Sequence, residues 1–394
     1  MLALKNCRLI PELTEGYDDT LADLVLDGEV IAEICKPGTA PSSGESLDLG
    51  GRTVIPGMFD LHCHLHATNP SFLQLQHKPL GTCCFDAYHY ARTMLRYGFT
   101  TLRDMGSNGR CGIYLRNAIN KGQVEGPRIT SCGLIVGPTE SGSDLFTLLH
   151  NDADGPDEML KHAREEMQAG SDFVKSSVTG GFLNEGGVPG QSILTREELD
   201  ALVTAARLKN RYVAVHCHGA EGIKMSLAAG VRTVEHAALI DDEGIEMLKN
   251  AKDQYAVLTM TVFASMPETI KRNDKSEKTQ KAKQYFPIMQ ESLTRAYKAG
   301  LKLGWGTDTL LPAFLARPAS EFLARRDLLG MSNIDMLLQA TKYSAEIVGA
   351  LDRTGTVKAG KYADLAVFDG NPDEDILLMD RPAWAVFKGG KRYD

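Results

Sequence analysis

The spacing of apolar and polar positions along this chain changes character once, near Pro56. Before it, short apolar stretches of strand length are separated by turn residues: residues 21–26, an Asp27-Gly28 turn, residues 30–34, then a Pro/Gly/Ser-rich loop at 37–44. No long helical period interrupts them. Beyond Pro56, strand-like runs alternate with stretches of helical period. Strands are predicted at 99–104, 128–136, 172–178, 212–219, 233–239, 256–261 and 301–307, in addition to one that ends at His62. Helices are predicted at 85–96, 113–120, 156–169 and 195–209, the last opened by a capping box of Thr195 and Glu198.

An alternation about eight strands long predicts an α/β fold, a parallel (β/α)8 TIM barrel. After a helix at 333–349, β character returns at 355–368 and 384–388. These late strands are expected to pair with the first ones. The result is a small β-sandwich domain made by both chain termini, residues 1–56 plus 352–394, beside a barrel of residues 57–351. The polar stretch 268–283 reads as a solvated helix or loop flanking the site, with no chemistry assigned.

Composition narrows the function classes. A chain of 394 residues buries a large core, and a formal net charge of -8 without any basic block disfavours a nucleic-acid or anionic-membrane surface. No stretch is long and apolar enough to span a bilayer, and the N-terminus lacks the pattern of a signal peptide. The eight cysteines show no C-x-x-C spacing and read as reduced thiols of a cytoplasmic protein. Cys83 and Cys84 read as small buried or loop thiols. The expected partners are a small-molecule substrate and further copies of the chain in a homo-oligomer.

The candidate chemistry begins at Asp60-Leu61-His62-Cys63-His64, directly after Val54-Ile55-Pro56-Gly57. Two histidines two residues apart on a strand point the same way, so one metal ion can reach both. Lys175, His216, His236 and Asp308 likewise sit at or near the ends of apolar β-rich segments. In a barrel of this kind the C-terminal strand ends converge on one mouth. Neutral imidazoles plus a carboxylate suit zinc or a similar divalent ion. A buried lysine among cations favours its neutral amine, which can react with carbon dioxide to give an anionic carbamate able to bridge two metals. Blander roles compete: packed strand histidines for His62 and His64, a salt-bridged lysine for Lys175, and a helix N-cap for Asp308.

The chain resembles the amidohydrolase superfamily, and within it imidazolonepropionase-related and prolidase-like metal-dependent hydrolases. The motifs are Pro56 to His64, Gly98-Phe99-Thr100-Thr101-Leu102-Arg103-Asp104, Asp172-Phe173-Val174-Lys175, Val215-His216-Cys217-His218-Gly219, Val234-Glu235-His236 and Gly306-Thr307-Asp308, with the tail 355–368. The resemblance implies that His62, His64 and Asp308 hold one divalent metal, zinc being the expected ion, and that His216 and His236 hold a second, with carbamylated Lys175 (N6-carboxylysine) bridging them. It implies attack on a carbonyl by a hydroxide held between the metals, with Asp308 as proton shuttle. The expected reaction is amide hydrolysis, of a dipeptide or N-acyl amino acid first, and of small carbamates, ureas or lactams behind these.

Other readings of the same residues stay open. His218 shares a face with His216, and His218-Gly219-Ala220-Glu221 matches the pattern used by mononuclear nucleobase deaminases of the superfamily, where the glutamate shuttles protons. With Lys175 present, His216 reads as the ligand and His218 as a catalytic group that either stands behind the ligands or contacts the substrate. Tyr88, Arg103 and Arg110 are the other candidates for substrate contact. His66 reads as a loop histidine, and His77, His89, His150 and His162 as structural. One departure bears on substrate: where many prolidase-like relatives carry Gly-Gly-His-Gly-Asp, this chain has Pro138-Thr139-Glu140-Ser141-Gly142-Ser143-Asp144, without a histidine. The loop Thr179-Gly180-Gly181-Phe182 could admit a substrate closely or be a plain turn. A non-enzymatic scaffold on the same fold is the remaining alternative.

Overall fold

The structure, a computed structural model, describes residues 1–41, 44–69, 78–140, 148–182, 188–272 and 274–393. Both chain ends enter one eight-stranded sheet, which runs Lys391–Tyr393, Ala385–Lys388, Leu365–Phe368, Thr53–Pro56, Leu2–Leu9, Leu21–Asp27, Val30–Cys35, with Glu45–Asp48 also on Leu2–Leu9. The join between the ends is antiparallel, with Ala366 opposite Ile55 and Val367 opposite Val54. Alternate residues of these strands bury Leu4, Leu24, Ile31, Val54, Leu365 and Phe387 in a core of their own.

The strands that carry the candidate residues are parallel. Met58–Cys63, Phe99–Asp104 and Arg128–Ser131 form one sheet; Val174–Ser177, Val213–Gly219, Thr233–Leu239, Tyr255–Leu258 and Leu303–Trp305 form another; Ile135–Gly137 pairs with His150–Asp152. Helices separate them, among them Leu80–Arg96, Cys111–Asn120, Pro156–Ala169, Arg196–Arg207, Ala220–Ala229 and Asp242–Asn250. This is an α/β fold of TIM-barrel type. The Thr195 capping box forms, with Glu198 accepting the Thr195 amide at 2.8 Å.

The first and last parallel strands are tied at the ends that matter. The Asp60 carboxylate accepts from the Thr307 amide at 3.0 Å and hydroxyl at 2.6 Å, and from the His62 amide at 3.1 Å. The Asp308 amide then donates to the His62 carbonyl at 2.7 Å. Gly306 permits this approach, because a Cβ there would lie 2.6 Å from the Cβ of His62. So the backbone bonds at residues 306–308 set the position of Asp308 relative to His62 and His64.

Local departures from the predicted elements have identifiable causes. The strand expected at 128–136 breaks into Arg128–Ser131 and Ile135–Gly137. Between them Gly133 takes φ 79° and the buried Glu166 carboxylate accepts the Leu134 amide at 3.0 Å, so the chain turns around that carboxylate. The strand expected at 256–261 stops at Leu258, because Glu321 captures the amides of Met260 (3.0 Å) and Thr261 (2.6 Å) and winds Met260–Phe263 into a 3₁₀ turn. The helix expected at 333–349 carries a π turn, Gln339–Tyr343, whose Gln339 carbonyl accepts from the Ser344 hydroxyl at 2.6 Å. The polar stretch 268–283 falls in the helices Met266–Arg272 and Glu277–Lys298, apart from the residues between them.

Candidate functional site

A cavity of about 230 Å³ opens among the strand ends, and His62, His64, Lys175, His216, His218, His236 and Asp308 all line it. Their elements are far apart in sequence and adjacent in space. His62 Nε2 lies 3.8 Å and His64 Nε2 3.5 Å from Asp308 Oδ1. One ligand atom from each of these three residues falls within 4.8 Å of the others. Beside them stands a second group, with ring centroids 4.6 Å apart for His216 and His236, 4.5 Å for His216 and His218, and 4.9 Å for His218 and His236. His62 and His236, at 4.8 Å, join the two groups.

Hydrogen bonds fix which imidazole nitrogen faces the cavity. His62 Nδ1 meets Glu235 Oε2 at 2.9 Å and His64 Nδ1 meets the Gly106 carbonyl at 2.7 Å. Both partners only accept, so Nδ1 carries the proton and Nε2 offers its lone pair toward Asp308. His236 Nδ1 bonds Thr259 Oγ1 at 2.7 Å. Burial, the largest influence in each case, holds His64 down to about 4 and His218 to about 3, and pushes His62, His216 and His236 well below the usual imidazole range. Neutral imidazoles of this kind are metal donors.

Lys175 is 2 % exposed, and its Nζ has no hydrogen-bond partner among the described residues. Burial lowers its ammonium to about 8, against the pull of Glu235 and Asp308. Burial also pushes the Asp308 carboxyl up to about 7, against the pull of Lys175. Asp308 (φ 47°) and His236 (φ 69°) adopt left-handed backbone, a conformation that costs on the order of 1–3 kcal/mol for a residue other than glycine. Strained backbone at two of the converging residues is compensated by the bonds around them, such as Asp308 N–H to His62 C=O.

Glu235 and Thr259 take part in ways that spacing alone does not show. Burial pushes Glu235 upward, but Arg103, His62 and Lys175 outweigh it and hold the carboxyl at about 2. Arg103 binds it with Nη2 at 2.8 and 3.0 Å and spends its Nε on the Leu61 carbonyl at 2.6 Å. Both side chains are fully buried. Glu235→Gln should therefore destabilise the protein by about 3–5 kcal/mol, since Arg103 would be left as an uncompensated buried charge. Thermal or urea unfolding checks this; an unchanged midpoint would contradict it.

Several expected contacts lie elsewhere. Arg103 reaches the histidines only through Glu235 and does not line the cavity. Arg110 is paired with Glu166 at 2.9 and 2.7 Å, and Tyr88 lies beside Arg92, so neither lines it. Glu221, in the first turn of Ala220–Ala229, is 83 % exposed and paired with Lys224 at 2.7 Å. The helix start that follows Gly219 turns this carboxylate out to solvent, so the deaminase pattern lacks its shuttle. His218 does line the cavity, edge-on to Phe182 at 4.9 Å, and its Nδ1 has no hydrogen-bond partner among the described residues. His66 and His150, read as a loop and a structural histidine, also line it, and so do Pro138 and Glu140. His66 continues the two-residue spacing of His62 and His64, whereas His150 stands in no such motif and only the folded chain brings it in. Residues 141–144 and His77 lie outside the described residues.

Histidines, a lysine and a carboxylate converging at parallel strand ends define a hydrolase of the α/β-barrel class. The profile of the amidohydrolase family matches residues 53–392, and the chain belongs to that family. It is an enzyme that hydrolyses carbon–nitrogen bonds. Ochratoxinase from Aspergillus niger is 26% identical over 381 residues, covering 86% of this chain and 75% of that protein. Among solved structures, an Xaa-Pro dipeptidase with bound methionine superposes with a TM-score of 0.88 at 28% identity, over 100% of this chain and 99% of the other. A prolidase complexed with N-methylphosphonate-L-proline gives 0.87 at 27% identity, over 100% and 99%. No helix among the described residues is long and apolar enough to cross a membrane.

Proposed function

We propose that this chain is a binuclear metal-dependent hydrolase that cleaves an amide bond in a small molecule. The observation that carries the reading is the convergence of five neutral or acidic donors on a buried lysine amine without a hydrogen-bond partner among the described residues. The donor set fits two divalent ions, zinc being the best match to imidazole and carboxylate. His62, His64 and Asp308 would hold one, His216 and His236 the other, and carboxylated Lys175 would contact both. Such ions, when bound, polarise a carbonyl and lower the pKa of water.

The protein's own groups supply the rest. Asp308 would take the proton from the attacking water and pass it to the leaving amine, a role open to a carboxylate that lines the cavity beside His62 and His64. Glu235 holds the His62 ring in one tautomer, and the Gly106 carbonyl does the same for His64. His218 would contact the substrate. A dipeptide or N-acyl amino acid and the small carbamates, ureas or lactams expected after them all offer the carbonyl that this chemistry needs. We extend the reading to the architecture: the parallel strands close into one eight-stranded barrel spanning residues 57–351, and residues 1–56 plus 352–394 form the separate small β domain. All eight cysteines are free, which supports a cytoplasmic enzyme.

The test is amine release from an amide library by the zinc-loaded protein, before and after dialysis against a chelator. Hydrolysis that chelation removes and zinc restores is expected. Ammonia release from nucleobases with no amide cleaved would contradict the proposal.

A further inference from the structure

We propose that the substrate is a neutral amide with apolar groups on both sides of the scissile bond and no carboxylate beside it. This rests on the amide-hydrolase reading above and narrows its substrate class to amides without the carboxylate that a dipeptide or N-acyl amino acid carries. Away from the converging donors, the cavity wall is largely hydrocarbon, with Ile135, Leu149, Phe182, Ile193, Val262 and Leu310 facing it. Such a wall rewards apolar groups and penalises a desolvated anion unless a cation is paired with it.

Among the described residues of that wall, no cation is left over to pair with a carboxylate. Among the described residues, Lys175 is the one lysine or arginine lining the cavity, and it belongs to the donor cluster. Arg103 and Arg110 are spent on the buried carboxylates of Glu235 and Glu166. Glu140 adds a carboxylate to the lining and would repel another. Ser177 and Thr179 are neutral, and His66 and His218 each leave a buried Nδ1 without a hydrogen-bond partner among the described residues, suited to an amide oxygen or N–H. Lys278 and Lys281 line a smaller cavity that shares Phe182 and Val262 with this one, and Lys281 is paired with Glu277 at 2.7 Å.

A matched pair tests the proposal: N-benzoyl-L-phenylalanine and N-benzoylphenethylamine, which differ only by the carboxylate. The zinc-loaded full chain is assayed for amine release and, separately, for binding by calorimetry. The neutral member should be favoured about tenfold or more in kcat/KM and in Kd. Equal treatment, or preference for the acid, would overturn the proposal, and loss of that preference in Lys278→Ala would locate the anchor in the smaller cavity. Tighter binding of the neutral member without cleavage of either would support this inference and overturn the amide-hydrolase reading.

Discussion

Lys175→Ala is expected to lose amide hydrolysis by more than about 100-fold, and short carboxylic acids such as acetate or propionate are expected to restore part of it. The loss should exceed the 10–100-fold typical of removing an outer partner of a metal ligand, because the lysine carbamate would itself contact both ions. The side chain is fully enclosed and its amine, lowered to about 8, has no hydrogen-bond partner among the described residues. Truncation to alanine leaves room where a free carboxylate can stand in for the carbamate. Lys175→Arg separates this role from a purely cationic one, since a guanidinium keeps the charge but cannot take up carbon dioxide in the same way. The arginine variant should be as inactive as the alanine variant and should not be rescued. Steady-state assays with and without added acid check both; full activity in either variant would contradict the assignment.

Asp308→Asn is expected to lower kcat by about 10²–10⁴-fold with a smaller change in KM, as for removal of a general acid–base group. Asparagine is the appropriate replacement. It tolerates the left-handed backbone of position 308 and keeps the amide bond to His62, so the fold should survive. What it loses is the carboxylate that would carry the proton and also the anionic donor beside His62 and His64, so metal content is measured alongside kcat. Retained kcat with a near-native melting temperature would remove Asp308 from the proton pathway.

The strand–helix order was legible because period and punctuation agreed. Phe99–Asp104 and Thr233–Leu239 form at their predicted bounds, and Pro156–Ala169 starts at its proline and stops at Gly170. Elements failed where a buried side chain from another part of the chain took over backbone amides: Glu166 at Leu134, and Glu321 at Met260 and Thr261. A local pattern holds no information about such captures. The same limit applies at the site. The histidines, Lys175 and Asp308 stood out because each ends a strand, whereas Glu235, in plain view beside His236, acquires its role only when Arg103 and His62 converge on it. Arg103 lies in one of the motifs that carry the family resemblance yet serves the interior, and Glu221 matched a motif but its helix carries it to solvent.

Metal stoichiometry tests the two-ion site most directly. Elemental analysis of the zinc-saturated, gel-filtered wild-type chain should give about two ions per chain, as expected for a site in which a bridging ligand joins two metals. A fully active chain holding a single ion, with Lys175 unmodified by mass spectrometry under conditions that preserve carbamates, would contradict it.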